Sequence, residues 1–131
     1  MSGTRSRNKG ARFERLLVTA LKACFPDAHR GQQAHNPRHA DVEGTPFRIE
    51  AKHYAKPTYK TMQDALAQAE ENGARFEDER IPVAVVKQDG KPPMVMLTLR
   101  RFIQMIERHF YAPPEVADVI PIRPPAEEKH E

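Results

Sequence analysis

Asp41, Glu50 and Lys52 fall in the pattern D-x8-E-x-K, two carboxylates and an ammonium within twelve residues. Hard divalent cations such as Mg²⁺ take oxygen ligands, and two carboxylates on neighbouring strands supply them from a rigid base. Such a cation polarises a phosphoryl oxygen and activates water, and a lysine beside it orients that water or offsets transition-state charge. These are the roles a phosphodiester hydrolase needs. The competing reading is a structural salt-bridge ladder. Arg48, one step earlier on the same side, reads as a surface or phosphate contact.

The pattern by itself is cheap. Asp118, Glu127 and Lys129 repeat it at identical spacing near the C-terminus. There "IPIRPP" intervenes, and prolines remove the donors that a strand ladder requires. The first copy has a better setting. In "FRIEAKHY", residues 47–54, Phe47, Ile49 and Ala51 alternate with Arg48, Glu50 and Lys52, which predicts a strand with its charges on one face. Gly44-Thr45 makes the turn before it, so Asp41 and Glu50 are expected on adjacent antiparallel strands.

The elements around this hairpin follow from periodicity. Phe13, Leu16, Leu17, Ala20, Leu21 and Cys24 recur at helical spacing and predict a helix over about 10–25, ended by Pro26, with residues 1–8 frayed. Short strands are expected around 28–32 and 39–43. A second helix over about 60–72 carries Met62, Ala65, Leu66 and Ala69 inward, with Asn72-Gly73 as its stop. "IPVAVVK" and "MVMLTL" read as strands buried on both faces, with Met94 and Met96 in the core. Thr98 is placed to cap a last helix whose Leu99, Phe102, Ile103, Ile106 and Phe110 point inward. The expected fold is α/β, a mixed five-stranded sheet flanked by helices, over residues 1–111. Five prolines and several acids in 112–131 predict an extended, disordered tail that recruits a partner or screens a basic face.

Charge supports a polyanionic partner. Residues 1–60 hold 12 Lys+Arg and 5 Asp+Glu, a balance of +7, whereas 61–131 hold 9 and 13, a balance of −4. An RNA-binding protein would share this asymmetry but would leave Asp41 and Glu50 unexplained, since acids facing phosphates without a metal weaken binding. Lys9, Arg12, Arg30, Arg38, Lys56 and Lys60 are the candidate phosphate contacts. His35 and His39 are four apart, but Pro37 between them forbids the helix of a zinc pair. Tyr54 and Tyr59 read as filling space between helix and sheet, and His53 as capping the strand. No apolar run approaches membrane-spanning length, and a single cysteine, Cys24, makes no internal disulfide, so an intracellular protein is expected.

Taken together, "NKGARFERLL", "ADVEGTPFRIEAKHY" and "PTYKTMQDALAQAEENGARFEDERIPVAVVK" resemble the PD-(D/E)xK nuclease superfamily, and within it the small Holliday junction resolvases of the archaeal type and their phage relatives. The similarity covers about residues 8–99. Lys9-Gly10 followed by Glu14 matches a first-helix glutamate, Asp41 and Glu50-Ala51-Lys52 match the hairpin, and Tyr59 matches a tyrosine just ahead of the second helix. The proline of the superfamily's name is absent, since His39-Ala40 precede Asp41, and His53 stands where a small hydroxyl residue often follows the lysine. On the helical wheel Glu14 lies at the edge of the buried stripe, from which it would reach the site. The resemblance implies a restriction-endonuclease-like fold and a Mg²⁺-dependent, structure-selective DNA endonuclease, with Mn²⁺ as a possible substitute. Asp41 and Glu50 would ligate the metal, Glu14 would assist directly or through water, and Lys52 would position the nucleophile. Cleavage would be in line and leave 5′-phosphates. It also implies a twofold dimer on branched DNA in recombination or repair, within a bacterial host if the chain is phage-encoded. The alternatives are a nuclease of the same type acting on other branched, nicked or single-stranded DNA, and a non-catalytic DNA-binding module of the same fold.

Overall fold

The computed structural model describes residues 2–31 and 36–110, with side chains from Arg7 onward. By its internal contacts the chain divides into two units, residues 1–97 and 98–131. The predicted tail and the second D-x8-E-x-K copy lie outside the described residues.

The first unit is α/β. Its elements are α1 (Ser2–Leu21), β1 (His29–Arg30), β2 (Val42–Glu43), β3 (Phe47–Tyr54), α2 (Tyr59–Arg75), β4 (Ile81–Gln88) and β5 (Met94–Met96). The five strands form one mixed sheet in sequential order. Only β3 and β4 are parallel, in register from Phe47 opposite Ile81 to Tyr54 opposite Gln88. A parallel pair needs a crossover, and α2 supplies it. The β2–β3 hairpin turns at Gly44, whose φ of 84° is left-handed and whose α-hydrogen faces the Asp27 carbonyl at a distance no Cβ would tolerate.

The two helices cover opposite faces of β3. The Phe13 ring of α1 meets His53 edge-on at 5.7 Å, so α1 lies over the side carrying Phe47, Ile49, Ala51 and His53. On the other side, Ala65 and Leu66 of α2 pack with Ala84, Val86 and Tyr54. The first six residues of β4 are all buried, as a strand covered on both faces should be.

Several expectations are revised. Helix α1 begins at Ser2 rather than about Gly10, because Arg, Lys and Asn turns extend a helix without contributing to its apolar stripe. It ends at Leu21, leaving Cys24 exposed beyond it, and Leu16 is 53% exposed. Helix α2 runs through Asn72-Gly73 and stops at Phe76, with Glu77 rather than glycine taking the left-handed position (φ 55°). The amide of Glu77 reaches the Ala74 carbonyl and that of Asp78 the Gly73 carbonyl, which completes a Schellman motif. Strand β5 is shorter than predicted; Met94 and Val95 are 65% and 64% exposed, whereas Met96 packs against the core as expected. The prolines before it donate no hydrogen bonds, and it is an edge strand.

The second unit contains α3 (Leu99–His109), where Thr98 accepts the Arg101 amide as the sequence predicts. Its apolar residues are not buried as expected: Leu99, Phe102, Ile103 and Phe110 are all exposed. Periodicity shows that a helix has an apolar face, not what covers it.

Candidate active site

Alternation along β3 sets the site. Arg48, Glu50 and Lys52 share the α2 face as predicted, but they part company there. Arg48 is 3% exposed and buried among protein partners, so it is neither a surface group nor a phosphate contact. Its guanidinium donates to Asp78 Oδ2 at 2.8 Å and to the carbonyls of Pro37 and Arg38. An unpaired guanidinium at that depth would be costly, and these acceptors meet its charge.

Glu50 and Lys52 remain accessible from one side and lie 3.3 Å apart, Nζ to Oε2. Val42 pairs with Ile49, and Asp41, just ahead of that strand, lies close enough for its charge to act on Glu50. Asp41 is held on three sides. Its amide donates to the Ile49 carbonyl at 3.0 Å, its carbonyl accepts from Gly31 at 3.0 Å, and its Oδ2 accepts the Ala51 amide at 2.8 Å. Gly31 can approach only because it lacks a Cβ, which would collide with the Ala40 carbonyl.

Two carboxylates are thus brought together beside one ammonium. Burial, and then the charge of Asp41, push the Glu50 carboxyl up from 4.5 to about 7, and Lys52 only partly offsets this. Burial pulls Lys52 down, but the charge and hydrogen bond of Glu50, with Tyr54 and Asp41, together outweigh it and leave the ammonium above its ordinary value. The result is a pair of neighbouring carboxyl groups with a cation fixed at its side. It fits a small hard cation, because Mg²⁺ commonly uses one or two carboxylates and completes its shell with water and phosphate oxygens.

Glu14 comes from another element, α1. It belongs to the helix on the opposite face of β3, and its Oε1 accepts from Arg30 Nη2 at 2.9 Å and Nε at 3.1 Å. Among the described residues, no three of His, Cys, Asp and Glu gather closely enough to hold a metal between them. The wheel placed Glu14 correctly at the half-buried edge of α1 but could not say which face of the sheet that helix covers.

The predicted phosphate contacts fare differently. Arg12 and Lys56 are exposed, and Lys60 is exposed beside Asp64 at 3.3 Å. Lys9 pairs with Asp89 at 2.9 Å, Arg30 is occupied by Glu14, and Arg38 lies 4.8 Å over the Phe76 ring. His53 does more than cap its strand: its ring packs on Phe13, and its buried Nε2 lies 2.9 Å from Asp89, out of line for a hydrogen bond. Burial, then the charge of Lys9, lower its pKa. Tyr54 fills space beneath α2 as expected, whereas Tyr59 is 65% exposed.

Sequence reasoning missed Glu43, Asp78 and Arg80. Arg80 Nη1 meets Glu43 Oε1 at 2.7 Å and Arg80 Nη2 meets Asp78 Oδ2 at 2.6 Å. The hydrogen bonds from Arg80 hold Asp78 well below the usual carboxylate range, while Asp78 raises Arg80. The acidic run "FEDER" gave no sign that two of its members turn inward.

No protein-family model, no curated protein and no solved structure matches this chain significantly.

Proposed function

We propose that this chain is a metal-dependent, structure-selective DNA endonuclease of the PD-(D/E)xK type, with a restriction-endonuclease-like sheet, acting on four-way junctions. The observation that carries the reading is the closeness of Asp41 to Glu50 at the β2–β3 hairpin, with Asp41 Oδ2 held by the Ala51 amide and Lys52 3.3 Å from Glu50. A salt-bridge ladder would not need a second carboxylate beside a buried one, where burial and then the charge of Asp41 raise Glu50 to about 7. The resemblance of residues 8–99 to Holliday junction resolvases gives the substrate class.

Asp41 and Glu50 would hold a divalent cation, Mg²⁺ or in its place Mn²⁺. When bound, it would neutralise charge on the scissile phosphate and lower the pKa of water. Lys52, kept protonated by its neighbours, supplies a fixed positive charge for the attacking water and the developing phosphorane charge. Glu50 must lose its proton to bind the cation, so loading depends on pH near neutrality. Glu14 acts through water or after release from Arg30. Arg12, Lys56 and Lys60 remain open to phosphates. A four-way junction has twofold symmetry and needs two opposed cuts, so the working species is a C2 dimer.

The test is cleavage of an end-labelled four-way junction with Mg²⁺ or EDTA, beside a linear duplex of matching sequence. Paired, metal-dependent cuts near the branch point, abolished in Asp41→Asn while binding persists, are expected. Equal cutting of both substrates would move the function to a nuclease of other specificity. Tight binding without cutting would make the chain a binding module.

A further inference from the structure

Asp41 has an exacting position and little regular structure to hold it. Strand β2 begins only at Val42 and has two residues, so its ladder to β3 is short. The segment just before Asp41 is secured from elsewhere, by four charged side chains on the α2 face of the sheet. Arg48 Nη1 meets Asp78 Oδ2 at 2.8 Å, and Asp78 meets Arg80 at 2.6 Å. Arg80 in turn meets Glu43 at 2.7 Å, and Glu43 Oε2 accepts the Ala40 amide at 2.7 Å. Arg48 also ties down the carbonyls of Pro37 and Arg38. The chain of charges therefore fastens residues 37, 38 and 40 to β3, to the start of β4 and to the end of α2.

We propose that this Arg48–Asp78–Arg80–Glu43 chain is a positioning device that holds Asp41 beside Glu50; it rests on the reading of these two carboxylates as the cation-binding pair. Three observations converge on it. Arg48 and Glu43 directly flank the pair in sequence, two residues before Glu50 and two after Asp41, on the same sheet face. The charges alternate in sign and sum to zero, so the chain fixes geometry without changing the charge of the site. Ion pairs with a buried member such as Arg48 are also poor stabilisers compared with apolar side chains of the same volume, which favours placement as the effect.

The Ala51 amide is a direct reporter, because its acceptor in this structure is Asp41 Oδ2. Hydrogen exchange of this amide would be followed by NMR in ¹⁵N-labelled wild type, Arg80→Met and Arg80→Lys, with buried β4 amides as internal controls. Glu43→Gln, which keeps an acceptor for Ala40, serves if Arg80→Met does not fold. Mn²⁺ binding would be titrated on the same samples, with Asp41→Asn as reference.

In Arg80→Met, exchange at Ala51 is expected to accelerate roughly tenfold relative to the β4 amides. Mn²⁺ binding should weaken by about tenfold or more. Arg80→Lys should restore most of both. Unchanged exchange at Ala51 in a folded but less stable variant would overturn the positioning role and leave the chain a structural tie. If wild type binds no Mn²⁺ through Asp41, the cation reading fails, and Ala51 exchange still decides whether the chain places Asp41.

Discussion

At the scale of single residues, Glu50 carries the clearest pH dependence. Its carboxyl ionises at 4.5 when unfolded and at about 7 when folded, so between these values the native state holds the extra proton. Stability from this group therefore falls as pH rises through that window, by about 3 kcal/mol at its upper end. His53 works in the opposite sense: its lowered pKa disfavours folding as pH falls through 6.5. The difference between wild type and Glu50→Gln isolates the carboxyl. In urea titrations of metal-free protein the variant should be the more stable at neutral pH, with the gap closing near pH 4.5. A constant gap would mean that Glu50 is not perturbed. Mn²⁺ affinity should rise with pH up to about 7, with protons released, which calorimetry in buffers of different ionisation enthalpy would show. Arg48 gives a prediction of another kind. Arg48→Met strands two backbone carbonyls and half of the Asp78 partnership in a dry site, and should cost about 3 kcal/mol in chemical unfolding.

At the scale of elements, the end of α2 is a strained solution that the network makes worthwhile. Glu77 occupies a left-handed backbone position that suits glycine, and this turn delivers Asp78 to Arg48 and Arg80. Glu77→Gly should raise stability by about 0.5–1 kcal/mol without loss of activity, measured by thermal unfolding and junction cleavage. A loss of stability would show that the Glu77 side chain contributes more than its backbone costs. Gly31 is the reverse case. Gly31→Ala would force a methyl into the Ala40 carbonyl and displace the segment leading to Asp41, so cleavage should fall by more than stability does.

At the scale of the whole molecule, the first unit assembles its proposed chemistry on one face of a mixed sheet and leaves several basic groups exposed. If residues such as Arg12, Lys56 and Lys60 meet phosphates, junction affinity should fall steeply with salt. Each single Ala substitution should then lower the log–log slope by about one. A slope unchanged by all three would place the DNA elsewhere. Among the described residues no helix is long and apolar enough to cross a membrane. Sedimentation of the full chain should show the twofold dimer that paired cutting requires; a strict monomer at cleavage concentrations would contradict it.

Much of the molecule was written locally. Alternation in "FRIEAKHY" determined β3 and the common face of Glu50 and Lys52, and the turn at Gly44 determined that Asp41 would come beside them. The apolar run of β4, the Ala65–Leu66–Ala69 stripe of α2 and the Thr98 cap were equally legible, because period and capping are properties of neighbouring residues. What lay out of reach depended on partners distant in sequence. Arg48 looked like one more charge on an open face until Asp78, thirty residues on, met it in the interior. The wheel set Glu14 at the edge of α1 but gave no sign that Arg30, sixteen residues on, would pair with it. A periodic pattern decides which side of an element is buried. Only the packing of elements decides what each buried or half-buried charge will face.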